Sequence, residues 1–439
     1  MKQTRDLTQG KIMTQLLLFA IPLFGSSLIQ QLYNTVDLMF VGKILGKEAA
    51  AAVGASSLMV TLLLGLFTGL SVGTNVVTAK AFGAKKKHVL SQIIHTTAGL
   101  SLIGSLGLLV IGWFLAPMFL QWMNTPREIH KLAVLYIRIY FLSLPFIISY
   151  NMGAGVLRAM GDSKTPMVYQ LIGGVVNVIG NAFFIVVMDM GVGGIALSTL
   201  FSQGIPAVLV VRQMCMTDEL YRLKWNKIRC ELSIVKEVLT IGIPAAVQAM
   251  VITLSNLIVQ SQINSLGVES IAAFTAYFKI ENFIYLPILA LGQAISTFVG
   301  QNVGAGKLSR VKKGISYTLL FGVGMTILIS AGILGVAKPI YGLFANEGNV
   351  IELGIAIAKV TFPFYFLYVF LEVFASSLRG TGKSIPPMVI ILINMCGVRL
   401  VLLIMMMQQF HSATAVALIY PITWGTTGLC LYLYTRRCI

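Results

Sequence analysis

The chain is poor in charge, and poorer still in acid. Of its 439 residues only 11% are charged, with 15 Asp and Glu against 32 Lys and Arg. Soluble domains carry roughly 25% charge on about 45–50% apolar residues, whereas this chain is 57% hydrophobic. That excludes an ordinary soluble protein, and no stretch is polar enough to form a separate soluble domain. The five cysteines, Cys215, Cys230, Cys396, Cys430 and Cys438, are odd in number and contain no CxxC. Neither a disulfide framework nor a thiolate metal site is indicated, and three of them fall in or at the ends of apolar runs, where Cys behaves as a small hydrophobe. The four histidines, His88, His95, His130 and His411, stand near the ends of such runs or between them, without metal-like spacing. No phosphate-cradling glycine loop with its lysine occurs, so drive by ATP within this chain is not expected. The period-two alternation of barrel strands is missing as well. The opening MKQTRDLTQGKIM lacks a short apolar core followed by a small-residue cleavage site, so no cleaved signal peptide is expected and the first span serves as its own insertion signal.

What the chain has is apolar length. Twelve runs, near 12–41, 49–79, 89–117, 132–157, 166–188, 191–211, 238–263, 271–299, 314–337, 350–378, 386–407 and 412–435, reach the ~20 residues a helix needs to cross a bilayer. Several are longer, so tilt or bending is expected. The net charge of +17 would suggest nucleic acid in a soluble protein, but here the basic residues lie between apolar runs. If both termini and the even-numbered loops share one side, that side holds 23 of the 32 basic residues, from Lys2 to Arg437. The other side holds seven, including Lys43 and Lys47. The bias predicts cytoplasmic termini and a multi-pass protein of the cell (inner) membrane, with the lipid bilayer and no nucleic acid as its surroundings.

The two halves resemble each other. At a shift of 221 positions Gly46 meets Gly267, Glu48 meets Glu269, Gly83 meets Gly304, and LRAMGDSKTPMV from Leu157 lies over LRGTGKSIPPMV from Leu378. Nearer the start the shift is 222, and Ile21-Pro22 meets Ile243-Pro244. Six spans per copy is an even number, so both copies enter the membrane in the same sense and are related by an axis along the membrane normal. The predicted fold class is therefore an all-α polytopic membrane protein of twelve transmembrane helices in two six-helix lobes. The boundaries fall at 1–215 for the first lobe, 216–235 for a cytoplasmic linker and 236–439 for the second.

Within the first half, one acid stands apart. Asp6, Glu48, Glu128, Asp162 and Asp189 fall near span ends or in loops, while Asp37, closing the stretch QQLYNTVD, lies well inside the first run. A carboxylate at the centre of a bilayer costs at least ~2.5–3.5 kcal/mol, and such residues pair or mark ion pathways. Asp37 is thus read as an ion-coupling residue, the alternative being an acid that stabilises a kink by bonding to a neighbouring helix. Pro22, mid-run, removes a backbone donor and is expected to bend the span.

The opening IPLFGSSLIQQLYNTVDLMFVGKILG, the segment endings GTNVVTAKAFGA and GQAISTFVGQNVGAG, and the two LR-x-x-G-x-S loops resemble the MATE (multidrug and toxic compound extrusion) family in its prokaryotic branch, over all twelve spans. The resemblance implies two six-helix lobes and export of organic, often cationic, compounds in exchange for H+ or Na+ by alternating access. Residue by residue it implies an ion-coupling set of Asp37, Asn177, Asn181 and Thr199. In GGVVNVIGNAFF, Asn177 takes the family's Asn place, and Asn181 stands where the family has Asp. Other branches of the family carry an acid in span seven; IGIPAAVQAMVITLSN has none, so their carboxy-lobe site is not expected here. Asn177 and Asn181 are four apart and share a helix face. Their oxygens, the Asp37 carboxylate and the Thr199 hydroxyl would form an all-oxygen set suited to a hard ion such as Na+, and one carboxylate with one Na+ or one proton is neutral. Interhelical hydrogen bonding is the plainer reading of the two asparagines.

A substrate cleft is read at Gln30, Tyr33, Asn34, Gln248, Asn256 and Glu372. Glu372 has two readings, an ion pair with Arg399 across spans ten and eleven, or a cleft-facing acid that attracts cations. The aromatic run FPFYFLYVF from Phe362 to Phe370 offers faces to flat or cationic molecules, and the 20 methionines suit adaptable packing. No catalytic residue, cofactor or metal is expected beyond the coupling ion, the protein is not read as an enzyme, and it is expected to act as a monomer on small organic substrates. The rival readings are a lipid-linked precursor flippase or dedicated metabolite exporter of a related fold and, from another class, a membrane-embedded enzyme, for which clustered nucleophiles at membrane depth are lacking.

Overall fold

The computed structural model describes residues 5–345 and 347–438. Lys2 lies outside the described residues, as does the side chain of Lys43. The architecture is all-α, with no strand among the described residues. Ten helices are long and apolar enough to cross a membrane, and two bent pairs bring the number to as many as twelve among the described residues. The spans are, in order, Ile12–Phe40, Met59–Gly83, Lys87–Trp122, the bent pair Arg127–Leu142 with Leu144–Ala159, Lys164–Val187, Gly191–Met216, Leu232–Asn264, Val268–Gly304, Leu308–Gly335, the bent pair Gly348–Phe364 with Phe366–Gly380, Ile385–Gln409 and Ala413–Cys438. Each coincides with one apolar run of the sequence. In hydrocarbon a chain must satisfy every backbone donor and acceptor within itself, and the helix does so locally.

Contacts divide the chain into two compact units, Met1–Asp6 with Ile21–Ala246, and Leu7–Ala20 with Val247–Ile439. The membership changes inside the first span, at Ile21 beside Pro22, and inside the seventh, at Ala246 beside Pro244. In the first unit one cluster gathers Phe67, Tyr136, Tyr140, Phe141 and Ile147. Another joins Ile94, Leu157 and Val210 to Val238 and Ile241 of the seventh span.

The LR-x-x-G motif is a helix stop. Gly161 and Gly382, its last glycines, have φ of +81° and +89°, the left-handed region that only glycine enters without steric cost. In the first copy Gly161 N–H donates to the Arg158 carbonyl at 2.9 Å and Asp162 N–H to that of Leu157 at 3.0 Å. In the second, Gly382 N–H donates to Arg379 at 2.8 Å and Lys383 N–H to Leu378 at 3.0 Å. This paired pattern closes the otherwise unsatisfied carbonyls at a helix C-terminus. Asp162 then starts the next span, accepting the Thr165 N–H at 3.0 Å. Burial raises its carboxyl above the usual aspartate range, opposed by hydrogen bonds from Thr165 and Lys164 and by the charge of Arg5.

Two features were not legible beforehand. The first span runs as one helix through Pro22, while breaks of 43° and 51° fall in the fourth and tenth spans. Among the described residues, three π-helical turns lie in or next to the spans, at Val41–Leu45, Ala182–Val187 and Ile393–Val398. A π-turn inserts one residue into the helical register and re-aims the side chains beside it, which is why such turns gather at functional sites. One follows Asp37, one begins directly after Asn181, and one ends directly before Arg399.

Candidate functional site

In the first unit the structure joins three of the four residues expected to serve the ion. Asn181 Nδ2 donates to Asp37 Oδ1 at 2.5 Å and reaches Asn177 Oδ1 at 3.4 Å. Asn177 and Asn181 are 1% and 0% exposed. A bond to a charged group is worth about 1.5–3 kcal/mol, enough to offset part of the cost of holding the acid at this depth. Asn177 is held in turn by Ser198 of the sixth span, whose hydroxyl donates to its backbone carbonyl at 2.7 Å. Thr199 is placed differently. Its hydroxyl donates to the Ile195 carbonyl at 3.1 Å, within its own helix.

Two buried atoms of this group, Asn177 Nδ2 and Asn181 Oδ1, have no hydrogen-bond partner among the described residues. A buried oxygen left unmatched costs about 1–3 kcal/mol. The unmatched Asn181 oxygen, together with the Asp37 carboxylate, is the donor chemistry a hard cation takes. The same amide, turned by half a rotation, presents its oxygen to a protonated carboxyl.

One helical turn before Asp37, the Tyr33 hydroxyl accepts from Gln170 Nε2 at 3.3 Å and also bonds Gln203 and Gln30. Gln30 and Asn34 are exposed. Tyr136 of the fourth span stands within electrostatic reach of Asp37. Sequence reasoning missed Ser198, Gln170, Gln203 and Tyr136. The glutamines are polar residues inside apolar spans and carried a usable signal. Ser198 and Tyr136 did not, because small hydroxyls and single rings are common in any membrane helix.

In the second unit the expected pairing of Glu372 with Arg399 is not what the structure holds. Glu372 Oε1 pairs instead with Arg379 Nη2 at 2.9 Å, one residue past the start of the LR-x-x-G motif. It also accepts from Ser376 Oγ at 2.7 Å, and Arg379 reaches Gln248 Oε1 at 3.1 Å. Seven residues separate Glu372 from Arg379, two full helical turns on one face, whereas Arg399 is held elsewhere. Its guanidinium donates to Asn256 Oδ1 at 3.1 Å and to Thr423 Oγ1 at 3.1 Å, and lies 4.9 Å from the centroid of the Tyr420 ring. Of the expected second-half cleft residues, Gln248 and Glu372 are thus buried in one polar cluster, and Asn256 is exposed beside Arg399.

The family model MatE matches the chain twice, over residues 22–183 and 244–405, which are the two halves that the internal repeat predicts. Among curated proteins, the probable multidrug resistance protein YpnP of Bacillus subtilis is 32% identical over 70% of this chain and 68% of its own length. The FAD transporter of Shewanella oneidensis is 23% identical over 92% of this chain and 90% of its own. The fold matches a crystal structure of MATE in the straight conformation with a TM-score of 0.93 at 21% identity, over 99% of this chain and 97% of the other. With two matched halves spanning most of its length, the chain belongs to the MatE family, that of the multidrug and toxic compound extrusion transporters.

Proposed function

We propose that this transporter exports small organic compounds, often cationic, in exchange for an ion bound at Asp37. The observation that carries the reading is the Asp37–Asn181–Asn177 cluster, an intramembrane acid held by the buried Asn181 amide, which also reaches Asn177 and whose own oxygen is left unmatched among the described residues. The reaction is exchange at one carboxylate. With Asp37 ionised, Asn181 donates to it. When a proton or Na+ arrives, the negative charge is neutralised, the Asn181 oxygen gains a partner, and the first and fifth spans are no longer held by a charge-assisted bond. That difference in bonding between the two states is what lets the ion bias an alternating-access equilibrium, since a ligand shifts a conformational balance only by its differential affinity. The protein sits in the cell (inner) membrane with both termini cytoplasmic, as the basic loops indicate, and works as a monomer. A second reading, export of one dedicated metabolite, draws support from the Shewanella oneidensis relative named as an FAD transporter.

The test is efflux of a fluorescent organic cation from vesicles holding the purified protein, with sodium and pH gradients imposed separately. Export driven by at least one gradient, and lost in Asp37→Asn, is the expected result. Export indifferent to both gradients overturns the reading.

A further inference from the structure

The loop between the second and third spans brings a cavity and three lysines together. The cavity measures about 220 Å3 and is lined by Lys85, Lys86 and Lys87 and, from the ends of the two spans, by Ala81, Phe82 and Leu90. Ala81 and Leu90 are buried, while the three lysines are exposed. Sites for drug-sized ligands run to ~300–1,000 Å3, so the space suits a small polar group rather than an exported compound. Among the described residues none of the three ammonium groups forms an ion pair. Asp6 also lines the cavity, and sets one carboxylate against the three lysines.

The internal duplication supplies a comparison. At the shift of 221, Lys85, Lys86 and Lys87 meet Gly306, Lys307 and Leu308. The backbone turns alike in both copies. Lys85 N–H donates to the Phe82 carbonyl at 2.9 Å and Lys86 N–H to that of Ala81 at 3.1 Å, as Gly306 does to Val303 at 3.0 Å and Lys307 to Asn302 at 2.8 Å. Lys85 has a φ of +56° where Gly306 has +70°. That region disfavours any side chain and admits glycine freely, yet the first copy keeps a lysine there. Strain of this kind collects at functional positions. In the second copy the basic residues hold a segment of their own unit. Lys307 Nζ donates to the Thr8 carbonyl at 2.9 Å, and Arg310 Nη2 to those of Leu7 at 3.2 Å and Gln9 at 2.7 Å. In the first copy Val89 stands in place of that arginine, and the lysines border a cavity instead.

The third span bears on the source of the anion such a site would take. Along Lys87–Trp122 the side chains of Val89, Ile103, Leu106 and Val110 are exposed, within an arc of about 100° around the helix. Lipid tails are as apolar as these side chains, so this side of the span is a surface for acyl chains. Basic pockets beside membrane helices hold anionic headgroups. The buried apolar wall at Ala81 and Leu90 suits the base of a lipid headgroup better than a fully hydrated ion.

From this placement we propose that the cavity binds the phosphate of an anionic phospholipid, its oxygens taken by Lys85, Lys86 and Lys87 and its acyl chains lying along the exposed side of the third span. The phosphate oxygens serve the first copy as the carbonyls of Leu7, Thr8 and Gln9 serve the second, as acceptors for the basic residues of the loop. Lys85 brings a third ammonium group that a glycine could not, which is what its strained backbone secures. Asp6 opposes the anion and holds the affinity below what three lysines alone would give. None of this depends on the role of Asp37 or on what is exported.

The experiment is native mass spectrometry of the full chain in detergent, titrated with phosphatidylglycerol and, separately, with phosphatidylcholine, which has no net charge. Preferential binding of phosphatidylglycerol, weakened about fivefold for each of the three lysines replaced by glutamine, is the expected result. Lys312→Gln with Lys313→Gln, at two exposed lysines of the second unit, leaves the binding unchanged, and Asp6→Asn strengthens it. Lys85→Gly separates binding from folding. It weakens phosphatidylglycerol binding while raising the melting temperature of the lipid-free protein, because glycine relieves the backbone. Equal affinity for the two lipids, or an equal loss in the Lys312 and Lys313 variant, overturns the proposal. Displacement of the lipid by an equal concentration of glycerol phosphate overturns the assignment to a lipid in favour of a soluble phosphate. Wild-type binding in Lys85→Gly overturns the part given to that lysine.

Discussion

Gly292 lies directly against the carboxylate of Glu372, so closely that a Cβ there would collide with Oε1. At the corresponding places of the first half stand Ser71 and Asn151, and the motif arginine Arg158 donates to Ser71 Oγ at 3.1 Å. The duplicated arginine thus has two partners of different kind, a serine hydroxyl in one unit and a buried carboxylate in the other. The second is admitted by the loss of a side chain at Gly292. Breaking a buried ion pair from one side leaves an uncompensated charge and costs about 3–5 kcal/mol, whereas replacing both members is often near neutral. Arg379→Gln is therefore expected to lower the melting temperature of the detergent-solubilised protein sharply, and Glu372→Gln with Arg379→Gln to recover most of the loss. An equal loss in the single and double variants would show that the pair is not the reason.

Asp37→Asn keeps the size and hydrogen-bonding reach of the side chain while removing its charge. It is expected to leave the melting temperature within a few degrees of wild type and to abolish gradient-driven efflux. Efflux at the wild-type rate would remove Asp37 from the coupling step.

Asn181→Asp places a second carboxyl at 2.5 Å from the first. Two such groups titrate as a pair rather than singly. The pH profile of vesicle efflux is expected to change shape, with two apparent midpoints where wild type has one. An unchanged profile would place position 181 outside the exchange site.

Gly161→Ala forces a Cβ into the left-handed region, at about 1–2 kcal/mol, and that Cβ would also meet the backbone carbonyl of Arg5. Gly382→Ala carries the same backbone cost. Gly104→Ala in the third span, where nothing lies within 4 Å of the added Cβ, is the control and is expected to be neutral or slightly stabilising. Thermal unfolding of the three variants separates these outcomes.

Asp162 gives a pH dependence with a definite sign. Burial holds its carboxyl above the usual range, so the folded state favours the protonated form. The stability this provides is complete below the unfolded value near ~3.9 and is lost as pH rises through the folded value. As pH rises from about 4 through the folded value, the melting temperature of Asp162→Asn relative to wild type is expected to rise. A constant difference across that window would mean that Asp162 ionises freely.

The amino-acid sequence by itself determined the helical spans, their number, the internal duplication and Asp37 as the one acid of the first half deep in a span. These follow from composition and periodicity, because hydrocarbon penalises unsatisfied backbone and bare charge at every position alike. The partner amides on the fifth span were legible through their spacing and through likeness to a family. The tertiary structure decided what depends on helix rotation and on neighbours distant in sequence. It gave Glu372 to Arg379 rather than Arg399, kept the Thr199 hydroxyl within its own helix, set the π-turns beside Asn181 and Arg399, and opened a cavity beside Lys85, Lys86 and Lys87. A single inserted residue in a helical turn swings every later side chain by about a quarter of a circle, about 100° at 3.6 residues per turn. No pattern in the apolar runs records it, since most faces of a membrane helix are apolar.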